Sequence, residues 1–233
     1  MLIQLACPAS AEIVPESDGH GLVGFGGYRT KQIKSLTDIP RPVVAHLTEH
    51  LKKRLGETQY AHLKFAGGQL IDAKELRKTE PDSRDYQWEI PAYILQFDFE
   101  LPGTPKVIFP AEISLRSNAS VIKEINLPAY ANSADKQVFH SFKELIGIIA
   151  RKGFLEKNMA FIFEHDEDGA IVKKGLFEKN MTVMLEYDKE LDTLVWRYTK
   201  ILSDNGYSTQ MESILVNAYS GKIIRTTQSR AIR

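Results

Sequence analysis

"DIPRPVVAHLTEHLKKRLG", residues 38–56, decides how the rest of the chain is read. Val44, Leu47, Leu51 and Leu55 recur at helical spacing and fall within roughly 80° of arc at about 100° per residue. Asp38 is placed to cap this helix, Pro40 and Pro42 suit its first turn, and Gly56 suits its end. A helix with one apolar stripe needs a sheet face to cover. "YILQFDF" (93–99) offers one, with Tyr93, Leu95, Phe97 and Phe99 on one side and Ile94, Gln96 and Asp98 on the other. The fold class expected is α+β.

Strand-like segments surround that face. "YAHLKFAGGQLIDA" (60–73) reads as a hairpin turned at Gly67–Gly68. A polar loop, "RKTEPDSRDYQ" (77–87), follows. "KVIFPAEISLRSNASVIKEINL" (106–127) reads as two strands joined near Ser117–Ser120. The order then restarts. "SFKELIGIIARKG" (141–153) is a second helix, with Ser141 and Glu144 as a capping box and Gly153 at its close. Strand-like "MAFIFEHD", "MTVMLEYD", "LVWRYTKIL", "ESILVNAY" and "GKIIRT" come after it.

Two internal repeats support a doubled architecture. "KGFLEKNMAFIFEHD" (152–166) and "KGLFEKNMTVMLEYD" (174–188) agree at 8 of 15 positions, which marks a duplicated turn-plus-strand unit. At an offset of 101, Tyr93–Phe99 overlays Leu194–Lys200, Ile113–Ile122 overlays Ile214–Ile223, and helix 40–55 overlays helix 141–156. In the second copy Leu194, Trp196 and Tyr198 form the inward set.

Composition bounds the function. Lys+Arg and Asp+Glu number 30 each, so no field of one sign draws the chain to nucleic acid or to an anionic membrane. No stretch approaches 18 consecutive apolar residues, so no membrane span is expected. One cysteine, Cys7, permits neither an intrachain disulfide nor a cysteine-based structural zinc site. At the start, "MLIQLACPASAE" sets a short apolar run before Ala9-Ser10-Ala11, the small-x-small pattern of a signal-peptidase site. Residues 1–35 therefore read as an irregular lead-in carrying the remnant of an export signal, and the localisation leans to the periplasm or cell envelope. "GFGGYR" (24–29) lacks the strand before and helix after that a phosphate loop requires.

"HLTEH" (46–50) spells His-x-x-Glu-His, a pattern similar to that of the inverted zinc peptidases. Such a site would use His46 and His50 as ligands, Glu49 as base and Glu124 as the distant third ligand. On the helix, however, both histidines lie roughly 90–130° from the apolar stripe, beside Lys53, which can pair with Glu49. The second helix carries Gly147, Ala150 and Arg151 at the overlaid places. The pentapeptide is therefore read as a solvated helix face, and no catalytic, cofactor or metal residue is assigned. "DEDG" (166–169) reads as a hairpin turn, since an EF-hand loop needs alternate Asp/Asn and a Glu at its twelfth position. Asn118 and Asn180 head glycosylation sequons.

"SILVNAYSGKIIR" (213–225) resembles the closing hairpin of PepSY-type domains. The strand Ile214–Val216, the pair Asn217-Ala218, the turn ending at Gly221 and the strand through Ile223-Ile224 match that pattern. Asn217 stands where Asp is commoner. "LVWRYT" (194–199) resembles the family's Trp-centred strand, and helix 141–152 lies where its helix would. "ISLRSNASVI" (113–122) keeps strand–turn–strand but has Ser120 in place of the glycine. The resemblance implies two tandem PepSY/cystatin-like modules, 36–130 and 131–233, each a helix packed on a small antiparallel sheet. It also implies a non-enzymatic binding or inhibitory protein with a protein or peptide partner. Two alternatives stay open: the zinc metallopeptidase above, and a cytosolic toxin-neutralising protein of the immunity type.

Overall fold

The computed structural model describes residues 31–79, 89–102, 107–130, 139–140, 142–151, 161–165, 171–177 and 181–232. Its elements begin with β1 (Lys31–Ile33), a 3-10 turn (Leu36–Asp38), α1 (Arg41–Tyr60), β2 (Leu63–Leu70) and α2 (Ala73–Thr79). β3 (Tyr93–Glu100), β4 (Ile108–Leu115), β5 (Val121–Lys123) and α3 (Phe142–Arg151) follow. The chain closes with β6 (Phe161–His165), β7 (Ile171–Phe177), β8 (Met181–Asp188), β9 (Thr193–Asp204), β10 (Ser208–Asn217) and β11 (Ile223–Ile232). The fold is α+β with two antiparallel sheets, one ordered β1-β2-β3-β4-β5 and the other β11-β10-β9-β8-β7-β6.

The residues form two compact units. One holds the described residues up to Lys53 with those of Leu63–Phe97 and Glu112–Glu124; the other holds Arg54–His62 and the described residues of Asp98–Ala111 and Ile125–Arg233. In the first unit Val44, Leu47 and Leu51 of α1 are buried together with Phe65, Tyr93, Leu95, Phe97, Ile113 and Leu115. Phe65 and Phe97 meet edge to face at 5.6 Å. In the second unit Leu55, Leu145, Ile149, Leu194, Val195, Trp196, Tyr198 and Leu215 are buried. The stripe on α1 and the face of β3 are thus where periodicity put them. Asp98, expected outward, is 6% exposed.

Several local expectations are corrected. Gly67 and Gly68 make no hairpin; β2 runs through both. Gly67 has φ 137°, and a Cβ on Gly68 would stand 2.8 Å from the Ile94 carbonyl oxygen and from Leu95 Cδ2. Gly68 therefore admits a close neighbour within a continuous strand rather than a reversal. Asp38 does not cap α1. Its Oδ2 accepts the N–H groups of Lys34 and Ser35, closing a capping box on the 3-10 turn, and these bonds hold its carboxyl below the usual range. Gly56 breaks the helix as expected, at φ 70°, but helical turns resume and α1 extends to Tyr60. The ring of Tyr130 lies where a side chain on Gly56 would go. The N-terminal lead-in, read as irregular to residue 35, holds β1 near its end and runs into the 3-10 turn, with Ile33 and Leu36 buried. α2 occupies the start of the expected loop, capped by Asp72, whose Oδ1 accepts from Lys74 and Glu75. The segment "KGLF", read as the turn of the local duplication, belongs to β7.

The turn at Ser117–Ser120 is present, with Ala119 at φ 69°. The offset of 101 has a geometric counterpart. β4 and β5 slip register between Ser114 and Leu115, where the partners step from Lys123 to Val121. β10 and β11 slip between Leu215 and Val216, where the partners step from Arg225 to Ile223. A positive φ follows each bulge, at Ala119 and at Gly221 (65°); the first turn is one residue shorter, so its left-handed residue is Ala119 and not Ser120, the position that overlays the glycine. In the second copy Asn217 Oδ1 accepts from the N–H groups of Tyr219 and Ser220, and the Gly221 backbone lies against Ile148 of α3 and His140. Asn217 thus supplies the turn-forming carbonyl that an Asp carboxylate would supply. The capping pair at Ser141, the close at Gly153, the Asn180 sequon, "DEDG", "GFGGYR" and residues 1–30 lie outside the described residues.

Gly68→Ala is expected to cost about 1–3 kcal/mol by overpacking. Gly206→Ala, where nothing stands within 4 Å, meets only its left-handed backbone (φ 82°). Urea unfolding of the two variants checks the order, with Gly68→Ala the less stable.

Candidate functional site

α1 delivers the candidate residues. With Leu47 and Leu51 turned to the core, His46 and Glu49 are exposed and His50 is partly covered. His46, Glu49, His50 and Lys53 form one wall of a shallow groove of about 360 Å³, and Asn118–Val121 form the other. The second wall is pinned. Asn118 Oδ1 accepts from the N–H and the hydroxyl of Ser120. Arg116 donates to the Ser120 hydroxyl and the Val121 carbonyl, and grips Glu89 through Nε and Nη2 at 2.6 Å. That grip holds the Glu89 carboxyl below its ordinary pKa.

Two of the four peptidase candidates meet. His50 Nε2 lies 2.9 and 3.0 Å from the Oε1 and Oε2 atoms of Glu124, so its N–H donates to the carboxylate. Glu124 follows directly on β5. The side chains are 34% and 38% exposed, a wet pair that ties α1 to the end of the first sheet. Among the described residues no group of three or more His, Cys, Asp or Glu is arranged to hold a metal ion. Of the other histidines, His62 passes its carbonyl to the Glu100 N–H. His140 sets Nδ1 3.6 Å from Glu144 and gives its backbone N–H to Ala218.

A second polar cluster lies within the second unit and was not foreseen. Arg54 Nη2 donates to the Leu127 carbonyl (2.9 Å), to Asp192 Oδ1 (3.0 Å) and to the Tyr187 hydroxyl (3.3 Å). Tyr187 donates to the same Oδ1 at 2.6 Å, and Asp192 Oδ2 accepts the Ala129 N–H. Asp192 sits at φ 44°, in the left-handed region that Asp enters more readily than most residues. Burial, and then the bond to Asp192, push the Tyr187 phenol up to about 12. The cluster joins α1 to the β8–β9 turn, and its chemistry is that of a fastener. The sequence signal was only that Arg54 sits one residue before a buried leucine.

Elsewhere the described surface is broken by large exposed apolar side chains. Leu202, Tyr207 and Ile232 are 46%, 82% and 79% exposed, around the far ends of β9, β10 and β11. No helix is long and apolar enough to cross a membrane among the described residues. Compared with known protein families, curated proteins and solved structures, the chain matches none.

Glu124→Gln keeps a hydrogen bond to His50, and the pair is wet, so the change in unfolding free energy is expected to stay below about 1 kcal/mol. Tyr187 gives a pH signature. Its folded pKa, about 12, exceeds the ordinary 10.0, so the neutral phenol is favoured in the folded state. This contribution is complete below pH 10 and is lost as pH rises towards 12. Tyr187→Phe should flatten that part of the stability–pH curve, measured by denaturant midpoints.

Proposed function

We propose that the chain is a non-enzymatic binding or inhibitory protein made of two PepSY-like, cystatin-like modules, 36–130 and 131–233, and that it engages a protein or peptide partner. One observation carries this reading: the strand–bulge–turn–strand closure that occurs at β4–β5 and again at β10–β11, one repeat apart. It is the feature through which "SILVNAYSGKIIR" resembles the PepSY hairpin. Asn118, Ser120 and Asn217 near it are engaged in building turns, and strand edge and strand end offer a partner a surface. The immobilised chain, offered an extract of its source cells, is expected to retain a protein that the free chain displaces at equimolar amounts. If nothing is displaced, the reading is lost.

The contact between His50 and Glu124 favours a second reading, a zinc site of the His-x-x-Glu-His type on α1. Metal analysis separates the two. Purified chain is expected to hold zinc far below one ion per molecule, in wild type and His46→Ala alike. Stoichiometric zinc that disappears in His46→Ala would replace the binding reading with the peptidase.

A further inference from the structure

β11 stands at the end of the six-stranded order and, among the described residues, has one strand partner, β10. It is ten residues long, and residues 225–232 are all exposed. Natural sheets blunt such an edge by keeping it short, by bulging or covering it, or with proline or charged side chains, lysine above all. β5, its counterpart, is three residues long. Between Arg225 and Ile232 there is no proline or lysine, and the register with Leu215–Ser208 is unbroken. Eight residues at about 3.3 Å each leave roughly 26 Å of strand edge without a neighbouring strand among the described residues.

The edge has a sign. The charged residues of β11 are Arg225 and Arg230, both basic, with Lys222 just before the strand, in a chain whose charges balance. Arg225 Nη2 lies 3.7 Å from Asp188, and Arg230 Nη2 donates to the Ser208 hydroxyl, a neutral partner. A second copy is a poor occupant. Antiparallel self-pairing with full overlap sets residue 223 against 232, and therefore Arg225 against Arg230, twice over. A segment bearing carboxylates meets the same arginines favourably.

Resting on the binding reading above, we propose that the free edge of β11 takes up an extended, acid-rich segment of a partner protein as an added strand. Backbone hydrogen bonds supply the pairing, and the arginines select the charge.

The test uses the full chain and three fluorescein-labelled decapeptides: alternating Thr-Glu, alternating Thr-Lys, and the Thr-Glu peptide with two central prolines. Anisotropy is expected to register Thr-Glu binding at least about tenfold tighter than either of the others. Hydrogen exchange should slow at residues 225–232 when the first peptide is present. Arg230→Glu, checked for fold by circular dichroism, should weaken that peptide by about tenfold, and Lys34→Glu should leave it unchanged. Equal binding of the acidic and basic peptides, slowing elsewhere than 225–232, or no binding at all would overturn the proposal. In any of those cases a partner still displaced from cell extract by the free chain would leave the broader binding reading standing. Loss of that partner as well would remove both.

Discussion

Leu47, Leu51 and Leu55 are at most 1% exposed, and the rest of α1 is arranged around keeping them so. Burying a leucine is worth about 1.5–3 kcal/mol, so three of them outweigh the polar ties on the helix flank several times over. His50 with Glu124 is an exposed pair worth about 1 kcal/mol at most. Arg54 contributes more through geometry than through energy, because one guanidinium nitrogen reaches a carbonyl, a carboxylate and a phenol at once. The stripe fixes which way the helix faces. The polar residues then fix what it touches along its rim.

A similar closure at β4–β5 and at β10–β11, one residue shorter in the first, explains both the likeness and the difference of the two sheets. At each, a bulge and a positive φ turn the chain, and the backbone solves the problem with different residues: Ala119 in one, Gly221 in the other. Only the glycine lets a helix side chain, Ile148, come against the turn. Beyond the turn the two part company. β5 stops after three residues, whereas β11 continues for ten with no described strand on its outer side. An edge of that length, with arginines along it, is the most distinctive surface the described residues present.

The errors of sequence reading share a cause. Gly67–Gly68 looks like a turn because glycine tolerates turns, yet glycine is also what a strand needs where a neighbouring strand leaves no room for a Cβ, as at Gly68. Asp38 looks like a helix cap because it precedes an apolar periodic run. Ser35 three residues earlier completes a capping box of its own, and the carboxylate bonds backwards. α2 was legible in principle, since Asp72 and Glu75 have capping spacing, but seven residues give too little periodicity to stand out.

What the sequence determined by itself was the set of periodic faces: the α1 stripe, the inward side of β3, the second helix and the repeat at 101. These follow from local geometry, because residues 3.6 or 2 apart share a side wherever the chain goes. Tertiary structure alone decided which distant residues meet. His50 finds Glu124 across 74 positions and Arg54 finds Asp192 across 138, and no spacing rule reaches that far. It also decided that β11 is an edge, because pairing is a property of neighbours and one strand's residues do not say whether a second neighbour exists.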